Sequence, residues 1–92
     1  MIYKNSIAII HTQNKSGHIV GSHSIATYNY QQARPNQFAY DYLCDEFEIK
    51  ETVGGELLIT TFRRLNFSSI EIKEDILFSN VANVEIHTEY SI

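Results

Sequence analysis

Asn36–Glu48 (NQFAYDYLCDEFE) is the stretch on which the reading of the fold turns. Laid out at about 100° per residue, Ala39, Tyr40, Leu43 and Phe47 fall within one stripe. Asp41, Asp45 and Glu48, spaced i, i+4, i+7, fall on the opposite side. An apolar stripe backed by carboxylates is what a helix packed on a core requires. Pro35 or Asn36 supplies the start signal, and Gly54-Gly55 turns the chain afterwards. The spacing therefore predicts one principal amphipathic helix over residues 36–48.

The segments on either side read as strands. Ser6–Thr12 (SIAIIHT) is rich in β-branched residues, Asn14-Lys15-Ser16-Gly17 is a turn signal, and His18–Tyr30 returns as the partner strand with Gly21 a candidate bulge. Gln31–Gln37 is a loop holding the only proline. Glu56–Arg63 (ELLITTFR) reads as a buried strand. Ser69–Lys73 alternates Ile70 and Ile72 with Glu71 and Lys73, which outweighs a capping box at Ser68 and Glu71. Residues 74–80 leave a helical turn and a loop both open. Asn83–Tyr90 sets Val84, Ile86 and Thr88 on one face and Glu85, His87 and Glu89 on the other. The sum is an α+β chain of order ββαβββ: a mainly antiparallel sheet with the helix across it, in one domain spanning residues 1–92. Ile7, Ile9, Ile19, Leu43, Phe47, Leu58, Ile70 and Ile86 occupy the apolar phase of these elements and are the expected core.

Size and composition bound the chemistry. A chain of 92 residues with 43% hydrophobic and 20% charged residues folds around a modest core. A homodimer is expected, because association buries surface that so small a monomer leaves exposed. The single cysteine, Cys44, excludes an internal disulfide and points to a reducing compartment. No apolar run reaches the length of a membrane span, and Met1–Ser6 opens no signal peptide, so the expected location is the cytoplasm.

Motifs for catalysis and cofactors are weak. Cys44 lies among Asp41, Asp45 and Glu48, whose charge opposes thiolate formation. His11, His18, His23 and His87 lack metal-ligand spacing, and Gly54-Gly55 alone makes no phosphate loop. The expectation is a protein without catalytic residues, metal or cofactor.

Charge is the stronger signal. Residues 1–40 contain no Asp or Glu and carry Lys4, Lys15 and Arg34, a formal +3. Residues 41–92 hold all eleven carboxylates against four cations, a formal −7. Such asymmetry speaks of partners. Helical carboxylates one turn apart, about 5.4 Å, or alternate strand residues about 6.6–6.8 Å apart, approximate the phosphate track of DNA. Asp41, Asp45, Glu48 and Glu51 form one expected ladder; Glu71, Glu85 and Glu89, with His87, form another. The alternative is a nucleic-acid module built on the acid-free stretch, with Lys15 and Arg34 on phosphates and Tyr28 and Tyr30 on bases. A net charge of −4 favours the first reading.

In length, one-sided acidity and its Asn-, Ile-, Lys- and Tyr-rich usage, the chain resembles the anti-restriction nuclease inhibitors of T-even-type phages. That resemblance implies a non-catalytic, dimeric DNA mimic in the host cytoplasm. Its partners would be a DNA-binding host protein, namely a restriction endonuclease or a nucleoid protein, without direct contact to nucleic acid or membrane. Protein-binding inhibitors of the anti-CRISPR kind are the nearest competing class.

Overall fold

A computed structural model describes residues 1–90. The chain runs β1 (Ile2–Tyr3), β2 (Ser6–Gln13), β3 (Ile19–Thr27), α1 (Tyr28–Ala33), β4 (Tyr42–Cys44), β5 (Glu46–Glu51), β6 (Leu57–Arg64), β7 (Ile70–Phe78) and β8 (Val81–Thr88). The strands form two sheets, in the orders β1-β5-β6-β7 and β4-β3-β2-β8. All pairings are antiparallel except β3 with β4.

The expected hairpin is present. Ile7 pairs with Ala26 and Thr12 with Gly21, after which the register slips at the Gly21 end. Asn14 Oδ1 accepts the Ser16 and His18 amides, and Gly17 at φ 82° completes a turn that a side chain would strain. Strand β2 is buried on both faces, which is why Ile7–Ile10 reads as a continuous apolar run. Ala8 and Ile10 face the other sheet and meet Ile25, Cys44, Phe47, Ile59 and Phe78. Ile7 and Ile9 face the opposite way, onto Ala26, Tyr30, Phe38, Tyr40 and Leu43. The molecule thus has three layers: an outer sheet (β1-β5-β6-β7), a central sheet (β4-β3-β2-β8), and a cover made of α1 and the segment 34–41.

The helix expected over 36–48 is absent. Tyr42–Cys44 runs beside β3, and Glu46–Glu51 lies between β1 and β6 in the other sheet. Helix-like spacing arose because Tyr40, in the cover, and Leu43, on β4, pack into one cluster while Phe47 packs between the sheets. One stripe on a wheel is really two cores on two strands. The actual helix is a six-residue element over Tyr28–Ala33, inside what read as strand and loop. Thr27 caps it by accepting the Tyr30 amide at 3.3 Å, and the same hydroxyl accepts the Ser6 amide at 3.0 Å. Residues 74–78 continue β7, and the chain turns at Ser79-Asn80 with Asn80 at φ 57°.

Ile7, Ile9 and Phe47 belong to the core as expected and Leu43 is half-buried, but Leu58 stands half-buried on the solvent face of β6, because Ile59 and Thr61 take the inward phase. Ile19, Ile70 and Ile86 remain 52%, 37% and 36% exposed. Ile19 sits beyond the irregularity in β3. Ile70 belongs to the solvent face of the outer sheet, and Ile86 to a sheet edge.

Candidate functional site

The charge asymmetry of the sequence becomes an asymmetry between layers. Strands β5 and β7 carry Glu46, Glu48, Glu51, Glu71, Glu74 and Asp75, whereas the four strands of the central sheet carry only Glu85. With Phe47, Ile59 and Phe78 turned inward, strand alternation places Glu46, Glu48 and Lys50 on the solvent face, beside Leu58, Thr60 and Phe62. Leu77, Asp75 and Ile72 continue those rows on β7, and Ile70 stands opposite Arg64. A bulge at Lys73 keeps Ile72 in phase with Phe62.

This face is a mosaic. Ile72 is 62% and Leu77 53% exposed, with Leu58 and Phe62 half-buried between them. Apolar side chains grouped on one solvent face mark interaction surfaces. Cations neutralise part of the charge: Arg64 meets Glu46 at 2.6 Å and Lys50 meets Glu48 at 3.2 Å, while Arg63 pairs with Glu71 on the other side of the sheet. Asp75 accepts the Thr60 hydroxyl at 2.7 Å, and Glu56 the Ser79 hydroxyl at 3.1 Å. Among the described residues, no cation pairs with Glu51, Glu56, Glu74 or Asp75.

The two expected ladders are not formed. Asp41 accepts the Ser24 amide at 2.9 Å, Asp45 accepts the Arg64 amide at 2.8 Å, and Glu48 faces Lys50 and the N-terminus. These three carboxylates lie before β4, between β4 and β5, and within β5, so no common helix face holds them. Of the second set, Glu71 pairs with Arg63, Glu85 with His11 at 2.8 Å, and Glu89 with Arg34 at 3.1 Å. Glu71 lies in the outer sheet while Glu85 and Glu89 lie at the edge of the central one. Of the seven expected residues, Asp45 and Glu51 stand at the outer sheet without an ion-pair partner, Asp45 held by the β6 backbone. Glu74 and Asp75 join them, because residues 74–78 extend β7, which the ambiguous pattern of residues 74–80 does not reveal.

Two further features bear on chemistry. His11 Nδ1 lies 2.7 Å from Ser22 Oγ and its Nε2 2.8 Å from Glu85 Oε2, a hydrogen-bonded chain across β3, β2 and β8. It borders a cavity of about 210 Å³ between Ile9, Ser24, Phe38 and Asp41. Both ring nitrogens are committed and the next amide along, Ser24 N–H, is bonded to Asp41, so the chain's evident work is to tie three strands. Cys44 is buried, and burial pushes its thiol up to about 12, with Asp45, Glu46 and Glu74 adding to the rise against Lys73. Native protein should therefore resist iodoacetamide at pH 8 and react at one site once unfolded; mass spectrometry of the two states checks this.

Among the described residues, no group of His, Cys, Asp and Glu converges as a metal site, and no helix is long and apolar enough to cross a membrane. No family model, curated protein or solved structure matches this chain.

Proposed function

We propose that the protein acts without catalysis, as an anti-restriction-type decoy that docks the solvent face of its outer sheet on the DNA-binding surface of another protein. The observation that carries this reading is the mosaic itself: exposed Ile72 and Leu77 flank Asp75, a carboxylate held by a hydroxyl and by no cation. Glu56, also without a cation, lies next along the sheet, bonded to Ser79 at the end of β7. Glu51 and Glu74 share the inward phase of Phe47 and Phe78 and project from the other side of the sheet. A surface built to hold a phosphate backbone offers Lys and Arg in excess, and such a surface complements Asp75 and Glu56 on this face. Restriction endonucleases and nucleoid proteins present surfaces of that kind.

The acid-free stretch gives less support to direct nucleic-acid binding. Lys4 lies 3.9 Å from Glu46, Arg34 is held by Glu89, and Tyr30 is buried. Lys15 and His18 at the hairpin turn and Tyr28 beneath Lys73 are what residues 1–40 still present.

The test uses proteins of a bacterial lysate that adhere to DNA-cellulose. Immobilised protein should retain a subset of them, duplex DNA should displace that subset, and retention should weaken steeply as salt rises. Changing Glu56 to Gln and Asp75 to Asn together should leave the fold intact and cut retention severalfold, mainly through slower association. Glu51→Gln with Glu74→Gln, on the other side of the sheet, should change it less. Retention indifferent to duplex DNA, or a gel shift of free duplex by the protein itself, overturns the reading.

A further inference from the structure

Each sheet has two edges, and an edge strand offers unpaired N–H and C=O groups to any other strand. Three of the four edges here are protected. Strands β1 and β4 are two and three residues long. Strand β7 is bulged at Lys73 and carries Glu71, Lys73, Glu74 and Asp75. Strand β8 differs. It borders β2 alone, its only irregularity lies at the Ala82 end, and Val84-Glu85-Ile86-His87-Thr88 contains neither a Lys nor a Pro.

The direction of its backbone groups follows from one bond. Glu89 N–H donates to the Asn5 carbonyl at 2.8 Å, so the amide of Glu89 points toward β2. By the alternation of an antiparallel ladder, Glu85 and His87 also point inward, and Val84, Ile86 and Thr88 point outward. An open cleft of about 630 Å³ runs alongside the C-terminal half of β8, between Ile86, His87 and Thr88 and the Tyr30, Arg34 and Gln37 side chains.

We propose that β8 pairs antiparallel with β8 of a second copy about a twofold axis at Ile86, joining the two central sheets into one. This register is the one the side chains favour. Outward-pointing Ile86 meets the partner's Ile86 in reciprocal bonds, and Val84 meets the partner's Thr88. On the face shared with His11, Glu85 stands opposite the partner's His87, and His87 opposite the partner's Glu85. Cross-strand neighbours of this kind are roughly 5 Å apart, within reach of a hydrogen bond or ion pair. Moving the axis to Glu85 sets two carboxylates against each other, and moving it to His87 sets Glu85 against Glu89. The inference is independent of the decoy reading, since it concerns the central sheet rather than the outer one.

Amide exchange and sedimentation equilibrium on the intact chain, from about 5 to 500 µM, test it; an interface this small gives a concentration-dependent dimer. Mass should rise toward twice that of the monomer, and the amides of Val84, Ile86 and Thr88 should gain protection in step with it. Ile86→Pro removes an outward N–H and no bond to β2, so it should stay folded and weaken the dimer at least about tenfold. His87→Glu sets like charges opposite each other and should weaken it without touching the backbone. A monomer mass at the highest concentration, protection of β7 amides in place of β8, or a dimer unmoved by both substitutions overturns the proposal. If Ile86→Pro unfolds, the amide protection of the unaltered chain and the His87→Glu result decide.

Discussion

Replacing Phe47 with alanine is expected to lower the free energy of unfolding by about 3–5 kcal/mol, the largest loss from any single truncation here. Its ring is fully buried at the centre of the inter-sheet core and stacks on Tyr3 with centroids 5.2 Å apart. The lost area leaves a cavity bounded by Ile10, Ile25 and Ile59, on rigid strands that cannot collapse to fill it. Because Tyr3 belongs to β1, a two-residue strand, the same change should also release the N-terminal segment. Urea titration followed by tyrosine fluorescence measures the first effect, and amide exchange at Ile2 and Tyr3 the second. A loss below about 1 kcal/mol would mean that the two sheets do not share the core described.

A second large effect should follow Arg64→Leu. Glu46 is almost fully buried, its side chain 7% exposed, and its near cation is the Arg64 guanidinium at 2.6 Å, with Lys4 at 3.9 Å. The same guanidinium donates to the Phe67 carbonyl at 3.1 Å and so holds the loop joining β6 to β7. Removing it strands a desolvated carboxylate, and a cost of about 2–4 kcal/mol is expected. Glu46→Gln should cost less, since a neutral amide is cheaper to bury without a cation. Combining Arg64→Leu with Glu46→Leu should recover much of the loss, because replacing a whole buried pair by apolar groups is often near neutral. A double variant no more stable than Arg64→Leu alone would place the effect in the loop rather than in the buried charge.

The hairpin of β2 and β3 and the alternation of β8 were legible because each carries its own signal: β-branched runs, Asn-Lys-Ser-Gly at the turn, and alternating polarity. Strand β6 was legible as a strand but not in its facing, since Ile59 and Thr61 rather than Leu58 turn to the core. Residues 36–48 were not legible, although Glu46, Glu48 and Lys50 do alternate with Phe47, Ile49 and Glu51. A helical wheel cannot tell one apolar stripe from two short strands that leave for different sheets, and the junction at Asp45 is set by a tertiary contact, the Arg64 amide. The candidate site was legible as an excess of carboxylates after residue 40, but not as a place. Which of them stay uncompensated depends on where Arg63, Arg64, Arg34 and His11 reach, and those partners lie 8 to 74 positions away in sequence. The alternation of Ile70 and Ile72 was seen, but only the register of β6 with β7 shows that it faces solvent.

Strand β2 is both the most buried element and the one completed last. Its partner β8 begins at Val81, and the Ser6–Thr88 hydroxyl contact closes a separation of 82 residues. During synthesis, Ser6–Ile10 must wait beside β3 with its other edge open until residue 88 has left the ribosome. At about 5–20 residues per second, that interval lasts several seconds. Pairings so distant along the chain also place folding at the slow, millisecond-to-second end of the range. Throughout that wait Ile7-Ala8-Ile9-Ile10, apolar and uncharged, has the composition of an aggregation-prone segment, so yield in the cell should depend on how quickly the last strand arrives.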